Sequence, residues 1–304
     1  MRLVLLGVRG STAAPGEQFV RYGGHTSCVA VLADREQEPS LLLDAGTGLR
    51  GLPRLLGGRP FRGTIVLTHL HWDHVQGLPF CPSVDHADSA VDLYLPGPWD
   101  SATKPDAPRG LLARAMSPPH FPIGPEGLHG AWRFLPAHPG VLWPDGPVTV
   151  APIAHKGGVT LGIRVDLDGA SVAYLPDHAY SAAEGTGPVS APASEPVPGP
   201  ASAEALIRGV DVLLHDGQFH GGERDVAADY GHTTIEDAME LADRCAVGRL
   251  VITHHAPDRT DDDLDSLAAK FRRTPGGRPV VFARQGDVVD VHPAAAPIRA
   301  ASLP

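Results

Sequence analysis

Cysteine is scarce: Cys28, Cys81 and Cys245 are the only three. They form no CxxC pair, and an odd, scattered set supplies neither a disulfide framework nor a thiolate zinc site. Reduced thiols in a cytoplasmic protein are the expectation. Positive charge is also short, with 25 Lys and Arg against 35 Asp and Glu and a net charge of -10. Such a chain has no overall field to attract a polyanion. The charge therefore favours a small anionic molecule over nucleic acid as the partner. No apolar run approaches the roughly 20 residues of a membrane helix. The apolar stretch after Arg2 spans only Leu3 to Leu6, too short for the core of a signal peptide. No membrane partner is expected, and a homodimer is left open.

Histidine is plentiful at 16, and so are Gly (35) and Pro (31), which promise many turns and long loops. The 304 residues, 42% of them apolar, suffice for a sizeable core. Apolar and β-branched runs predict strands at 3–6, 28–33, 41–43, 64–68, 148–153, 161–165, 171–175, 210–214, 250–253, 280–283 and 288–291. Asp168-Gly169 marks a hairpin turn. Helices are predicted at 49–56, 203–208, 233–245 and 261–273. The chain reads as one domain over 1–304, with a proline-rich excursion at 81–147 carrying a strand or two. A Gly/Pro/Ser/Ala stretch at 185–202 reads as a mobile loop.

The chemistry centres on Thr68-His69-Leu70-His71-Trp72-Asp73-His74, which follows a predicted strand. Four ligand-type side chains fall within six residues. On extended backbone His69 and His71 point to one side, and a helix starting near Asp73 can turn Asp73 and His74 toward the same point. Imidazole and carboxylate suit zinc, iron or manganese. One string does not complete two metal sites, so further ligands must come from elsewhere.

This string and several others, in order, resemble the metallo-β-lactamase-fold hydrolases over residues 3 to about 292. The others are Tyr22-Gly23-Gly24-His25-Thr26-Ser27-Cys28, Leu43-Asp44-Ala45-Gly46-Thr47-Gly48, His155-Lys156-Gly157-Gly158, Tyr174-Leu175-Pro176-Asp177, His215-Asp216, Gly231-His232-Thr233-Thr234 and the run from Leu250 to His255. The set is most similar to the branch that holds tRNase Z and the cyclic phosphodiesterases. The resemblance implies an α/β (α+β) fold, a four-layer αββα sandwich with two divalent metal ions at one end. Zinc is the first expectation, with manganese or iron as alternatives. By motif match His69, His71 and His155 hold the first metal, Asp73, His74 and His254 the second, and Asp177 bridges them. Asp73, His232 and Asp216 are the expected catalytic residues, with His232 orienting or protonating the leaving group and Asp216 holding it.

Several positions have rivals. His138 also precedes Pro-Gly and competes with His155, and His255 competes with its neighbour His254. His215 reads as a buried strand residue and Asp44 as a support behind the HxHxDH loop. Gly46 and Gly48 read as a tight turn rather than a phosphate loop. Relatives commonly carry Asn where His25 stands, and Lys156, in place of a common proline, reads as solvated.

The reading that follows is a phosphodiesterase acting on a small or cyclic phosphodiester, with a hydroxide shared by two metals as nucleophile. A lactonase or thioesterase is the main enzymatic alternative. A tRNA 3′-processing endonuclease of the family carries a basic arm between the residues matching His155 and Asp177. Here those residues are separated by only a hairpin, and the 185–202 stretch has no Lys or Arg. A metal-holding sensor without turnover is a further alternative, disfavoured by the intact ligand set and the His232/Asp216 pair. Flavodiiron-type redox chemistry is disfavoured by His71, where that signature has an acidic residue.

Overall fold

Apolar runs separated by Gly- and Pro-containing turns build two sheets in the computed structural model, which describes residues 1–97, 107–143, 146–180 and 200–293. The first sheet contains β1 (Arg2–Gly7), β2 (Cys28–Leu32), β3 (Leu41–Leu43), β4 (Arg62–Val66), β5 (Ala90–Leu95), β6 (Ala131–Pro136) and β14 (Val288–Asp290). Their order is β14-β1-β2-β3-β4-β5-β6. The second contains β7 (Gly140–Val141), β8 (Val148–Ile153), β9 (Thr160–Leu167), β10 (Ala170–Leu175), β11 (Val212–Asp216), β12 (Arg249–Thr253) and β13 (Val280–Phe282), in the order β13-β12-β11-β10-β9-β8-β7.

Side-chain parity makes the layers. Leu3 and Leu5 of β1 point between the sheets, where they join Val29, Val31, Leu41 and Leu43 and, from the facing sheet, Val150, Ile163, Val172, Leu214 and Val251. Val4 and Leu6 point the other way, onto Leu49 and Leu52 at the start of α1 (Leu52–Leu55). Ala173, Leu213, Leu250 and Ile252 do the same in the second sheet. They meet Leu206 of α4 (Pro200–Ile207), Leu241 of α6 (Ile235–Arg244) and Leu264 of α7 (Asp261–Lys270). Each central strand is thus buried on both faces, which is why these strands read as unbroken apolar runs rather than alternating ones. The result is the four-layer αββα arrangement expected from the sequence.

The excursion at 81–147 does more than anticipated. β5 pairs in parallel with β4, and β6 with β5, so both extend the first sheet, while β7 adds to the edge of the second. α3 (Ala107–Ala113) lies between β5 and β6. β6 escaped the sequence pattern because it is a half-exposed edge strand with no apolar run. A helix that the pattern did not predict, α5 (Arg224–Tyr230), buries only Ala227 and so carries no apolar stripe. Residues 185–199 of the expected loop lie outside the described residues, and 200–202 open α4. No described helix is long and apolar enough to cross a membrane.

β3 to β6 run parallel to one another, and so do β10 to β13. β8 shares the direction of β10 because both are antiparallel to β9. The carboxyl ends of β3, β4, β8, β10, β11 and β12, or the loops just after them, carry Asp44, the His69–His74 string, His155, Asp177, Asp216 and His254. Loops at strand carboxyl ends are where open α/β sheets place their ligands.

Candidate metal centre and active site

The string after β4 folds as its spacing implies. His71 is extended (φ -66, ψ 152) and precedes α2 (Trp72–Val75), whose first turn carries Asp73 and His74. The loops of the second sheet close over it. Asp177 Oδ2 lies 3.3 Å from His69 Nε2 and 3.4 Å from His155 Nε2. Its other oxygen, Oδ1, lies 2.9 Å from His254 Nε2 and 3.4 Å from His74 Nε2. Asp73 Oδ2 stands 3.2 Å from both His74 Nε2 and His254 Nε2, and His155 Nε2 is 3.4 Å from His71 Nδ1. Two separate donor groups result, His69/His71/His155/Asp177 and Asp73/His74/His254, and a third, Asp177/His232/His254, overlaps both; in each the ligand atoms lie within 4.8 Å of one another.

This donor set fits divalent cations. His69 Nε2, His74 Nε2 and Asp177 Oδ1 are buried without a hydrogen-bond partner. Buried polar atoms are normally paired, and these three unpaired ones point into the same cluster. The donors are nitrogen and oxygen only, as zinc, manganese or iron accept.

Supporting bonds fix the rings. His74 Nδ1–H donates to Asp44 Oδ2 at 2.7 Å, which leaves Nε2 as the free ligand atom. Asp44 also accepts from the Thr68 amide (2.7 Å), the Thr68 hydroxyl (2.9 Å) and the Tyr174 hydroxyl (3.0 Å), all buried. His155 Nδ1–H donates to the Gly231 carbonyl at 2.6 Å. His254 adopts a left-handed backbone (φ 59), a conformation that costs energy outside glycine and clusters at functional sites. Its ring lies so close to Gly10 that a Cβ there would come within 2.4 Å of Nδ1.

Electrostatics follow from burial and neighbours. Burial holds His69 and His155 down to about 4, as neutral imidazoles ready to ligate. Burial opposes charge on His254 too, but Asp177 and Asp73 outweigh it and raise this ring to about 10. Asp177 is buried, yet the imidazoles of His254, His74 and His69 keep it well below the usual carboxylate range.

His232 lies beside the cluster. Its Nδ1–H donates to the buried Asp216 Oδ2 at 2.8 Å, and its ring stacks on His254 with centroids 5.3 Å apart. Asp216 also accepts the Gln218 amide at 3.0 Å. The rivals lie elsewhere. His255 donates through Nε2 to the Ala283 carbonyl at 2.8 Å and stacks on Phe282. His138 is exposed and joins neither donor group. His215 is buried with its Nε2 3.0 Å from His178 Nδ1. His25 turns to the Thr47 hydroxyl, 3.1 Å away. Gly48 packs so tightly on Gly7 that a Cβ would sit 2.6 Å from its nitrogen, which makes this segment a packed turn. Lys156 donates to the Asp229 carbonyl at the end of α5, at 2.6 Å.

Sequence reasoning missed Ser11, whose amide donates to Asp73 Oδ2 at 2.7 Å. Nothing in the sequence marks it, apart from Gly10 beside it. It also missed Tyr174 as a support for Asp44, although the tyrosine stands in the motif that leads to Asp177.

The model of the Beta-lactamase superfamily domain matches residues 40–255, well over half of the chain. The chain belongs to the metallo-β-lactamase superfamily. Membership makes it a hydrolase, and the fold implies divalent metals, which the His/Asp cluster fits. Ribonuclease Z of Shouchella clausii is 31% identical over 215 residues, 62% of this chain and 68% of that one. Ribonuclease Z of an Exiguobacterium species is 26% identical over 250 residues, 70% of this chain and 78% of its own. Among solved structures, the metallo-β-lactamase fold protein YhfI from Bacillus subtilis aligns with a TM-score of 0.64 at 17% identity, covering 95% of this chain and 99% of that one. Human tRNase Z, short form, gives 0.62 at 19% identity, over 96% and 100%.

These relatives correct the expectation about nucleic acid. The curated relatives are ribonucleases by name, so exclusion of nucleic acid on net charge does not stand. The tally of side-chain charge misled because a site built for divalent cations brings positive charge that the sequence does not count.

Proposed function

We propose that the protein is a di-metal phosphodiesterase and that its substrate is an RNA phosphodiester. The observation that carries this reading is the Asp177 carboxylate, with one oxygen toward His69 and His155 and the other toward His74 and His254. That arrangement supports a pair of cations sharing one ligand. His69, His71 and His155 would hold one, Asp73, His74 and His254 the other, and Asp177 both. When bound, such cations supply Lewis-acid activation of water and of the phosphoryl oxygens. The name ribonuclease Z on the curated relatives supports RNA as the source of the phosphodiester.

The chain's own residues do the rest. His232 gives its Nδ1–H to Asp216, so Nε2 is the atom that faces the cavity and hands a proton to the departing oxygen. Asp216 fixes the ring orientation through that hydrogen bond. Asp44 holds His74 from behind, and the Ser11 amide holds Asp73.

The test is elemental analysis together with a substrate panel. Metal-loaded protein should carry close to two divalent ions and hydrolyse bis(p-nitrophenyl) phosphate and an RNA oligonucleotide. Turnover of a thioester or lactone with no phosphodiester hydrolysis would overturn the reading.

A further inference from the structure

Phe, Tyr and Trp make up only 6% of the sequence, and among the described residues three such side chains are exposed: Trp72 (75%), Tyr230 (65%) and Phe80 (53%). Phe80 rests edge-on against Phe121, centroids 5.8 Å apart. Trp72 and Tyr230 have no ring or cation stacked on them among the described residues. Both line the same cavity of about 390 Å³, together with His71, Asp73, His155, Asp177, His232 and His254. They reach it from opposite sheets. Trp72 is the first residue of α2, between His71 and Asp73, and Tyr230 is the last residue of α5, just before Gly231 and His232. The Tyr230 side is anchored, since Lys156 holds the Asp229 carbonyl and the Gly231 carbonyl holds His155.

We propose that Trp72 and Tyr230 are specificity-determining residues that stack on the nucleobases next to the scissile phosphate. The proposal rests on the phosphodiesterase reading. Scattered exposed apolar side chains need no explanation, but two of the three exposed aromatics lining one cavity, that of the His/Asp cluster, are not scattered. A substrate that presents an anion to the cation cluster and flat rings immediately beside it is a nucleotide. Ring faces accept every base, so a stacking platform grips single strands with little sequence preference. The lining of this cavity includes no Lys or Arg. Within this cavity, grip away from the cluster therefore comes from ring faces rather than from phosphate contacts; Arg114 lines the neighbouring cavity beside His69 and His71.

The test compares a ligand with a base and one without. Calorimetry on the full-length, metal-loaded protein would measure adenosine 5′-monophosphate against ribose 5-phosphate. The expected result is tighter binding of the nucleotide, by about 5- to 150-fold for one stacked base. Trp72→Ala and Tyr230→Ala should each erode that ratio, while Trp72→Phe and Tyr230→Phe keep most of it. Metal content is measured alongside, because Trp72 adjoins His71 and Asp73. If Trp72→Ala sheds metal, Tyr230→Ala carries the test, being outside the HxHxDH string. Equal binding of the two ligands, or a preference that survives alanine substitution, would overturn the stacking role whatever the hydrolysis assays give. Failure to hydrolyse any phosphodiester would instead overturn the proposed function, and the binding ratio separates the two.

Discussion

Between His69 and His74, four candidate ligands occupy six consecutive residues on one loop after β4. The second sheet delivers His155, Asp177 and His254 one at a time, from the ends of β8, β10 and β12. The first group is local chemistry: an extended residue pair and one helical turn set its geometry. The second is topological. Its members converge only because β8, β10 and β12 run in the same direction. Half of the site is thus written in sequence spacing and half in the strand order, and the two halves should respond differently to substitution.

The sharpest way to break the comparison is Asp177. It touches imidazoles of both donor groups, so Asp177→Ala removes a contact from each. Metal content should fall from close to two ions per chain toward none, with phosphodiester hydrolysis lost. His71→Ala, confined to one group, should lose about one ion. Equal losses in the two variants, measured by elemental analysis, would show that Asp177 is not shared.

His232 should give the next largest effect. It lies beside the cluster and is bonded to Asp216, so His232→Ala should retain both metals while kcat falls about 10²- to 10⁴-fold. The loss should shrink for a p-nitrophenolate leaving group, which departs without a proton, and stay large for an alkoxide. Loss of a metal, or equal slowing of both leaving groups, would make His232 a ligand or a structural residue.

Asp44 tests the local half from behind. Its carboxylate takes the Nδ1–H of His74, which leaves Nε2 toward the cluster, and also accepts from Thr68 and Tyr174. Partners of this kind are typically worth about 10- to 100-fold in metal affinity. Asp44→Asn should weaken binding at the Asp73/His74/His254 group by that amount in a chelator titration, and spare the other group.

The two halves also differ in how far the sequence revealed them. The HxHxDH string needed only the periodicity of strand and helix. Choosing His155 over His138, or His254 over His255, needed the resemblance, because spacing alone does not say which loop reaches the centre. In the structure the first choice rests on β8 lying parallel to β10. The second rests on a left-handed backbone at His254, accommodated by the absence of a Cβ at Gly10. Ser11 was illegible because its partner Asp73 lies 62 residues away and the bond is made by its backbone amide. α5 was illegible because a helix that buries one alanine leaves no apolar period. Yet α5 carries Tyr230 to the cavity and ends beside His232. The fold's core was the easier part, since two-sided burial writes itself as apolar runs.

The smallest effect should come from Lys156, and it probes the topological half alone. Its ammonium donates to the Asp229 carbonyl in the last turn of α5, where a cation is favoured by the helix dipole. It is exposed, so solvent screens the interaction and the stability at stake is only about 0.3–1 kcal/mol. The bond nonetheless ties the loop carrying His155 to the helix that precedes His232, alongside the bond from His155 Nδ1 to the Gly231 carbonyl. Lys156→Ala removes the exposed tie and leaves the buried one. Metal content should stay at the wild-type value, because His155 keeps its orienting partner. The expected changes are a small drop in Tm and a loss of kcat of a few-fold at most, as the α5 end carrying Tyr230 and His232 loosens. Lys156→Arg, which can restore the donor, should recover most of both. A large loss of metal in Lys156→Ala would show that the exposed bond, not the Gly231 carbonyl, positions His155.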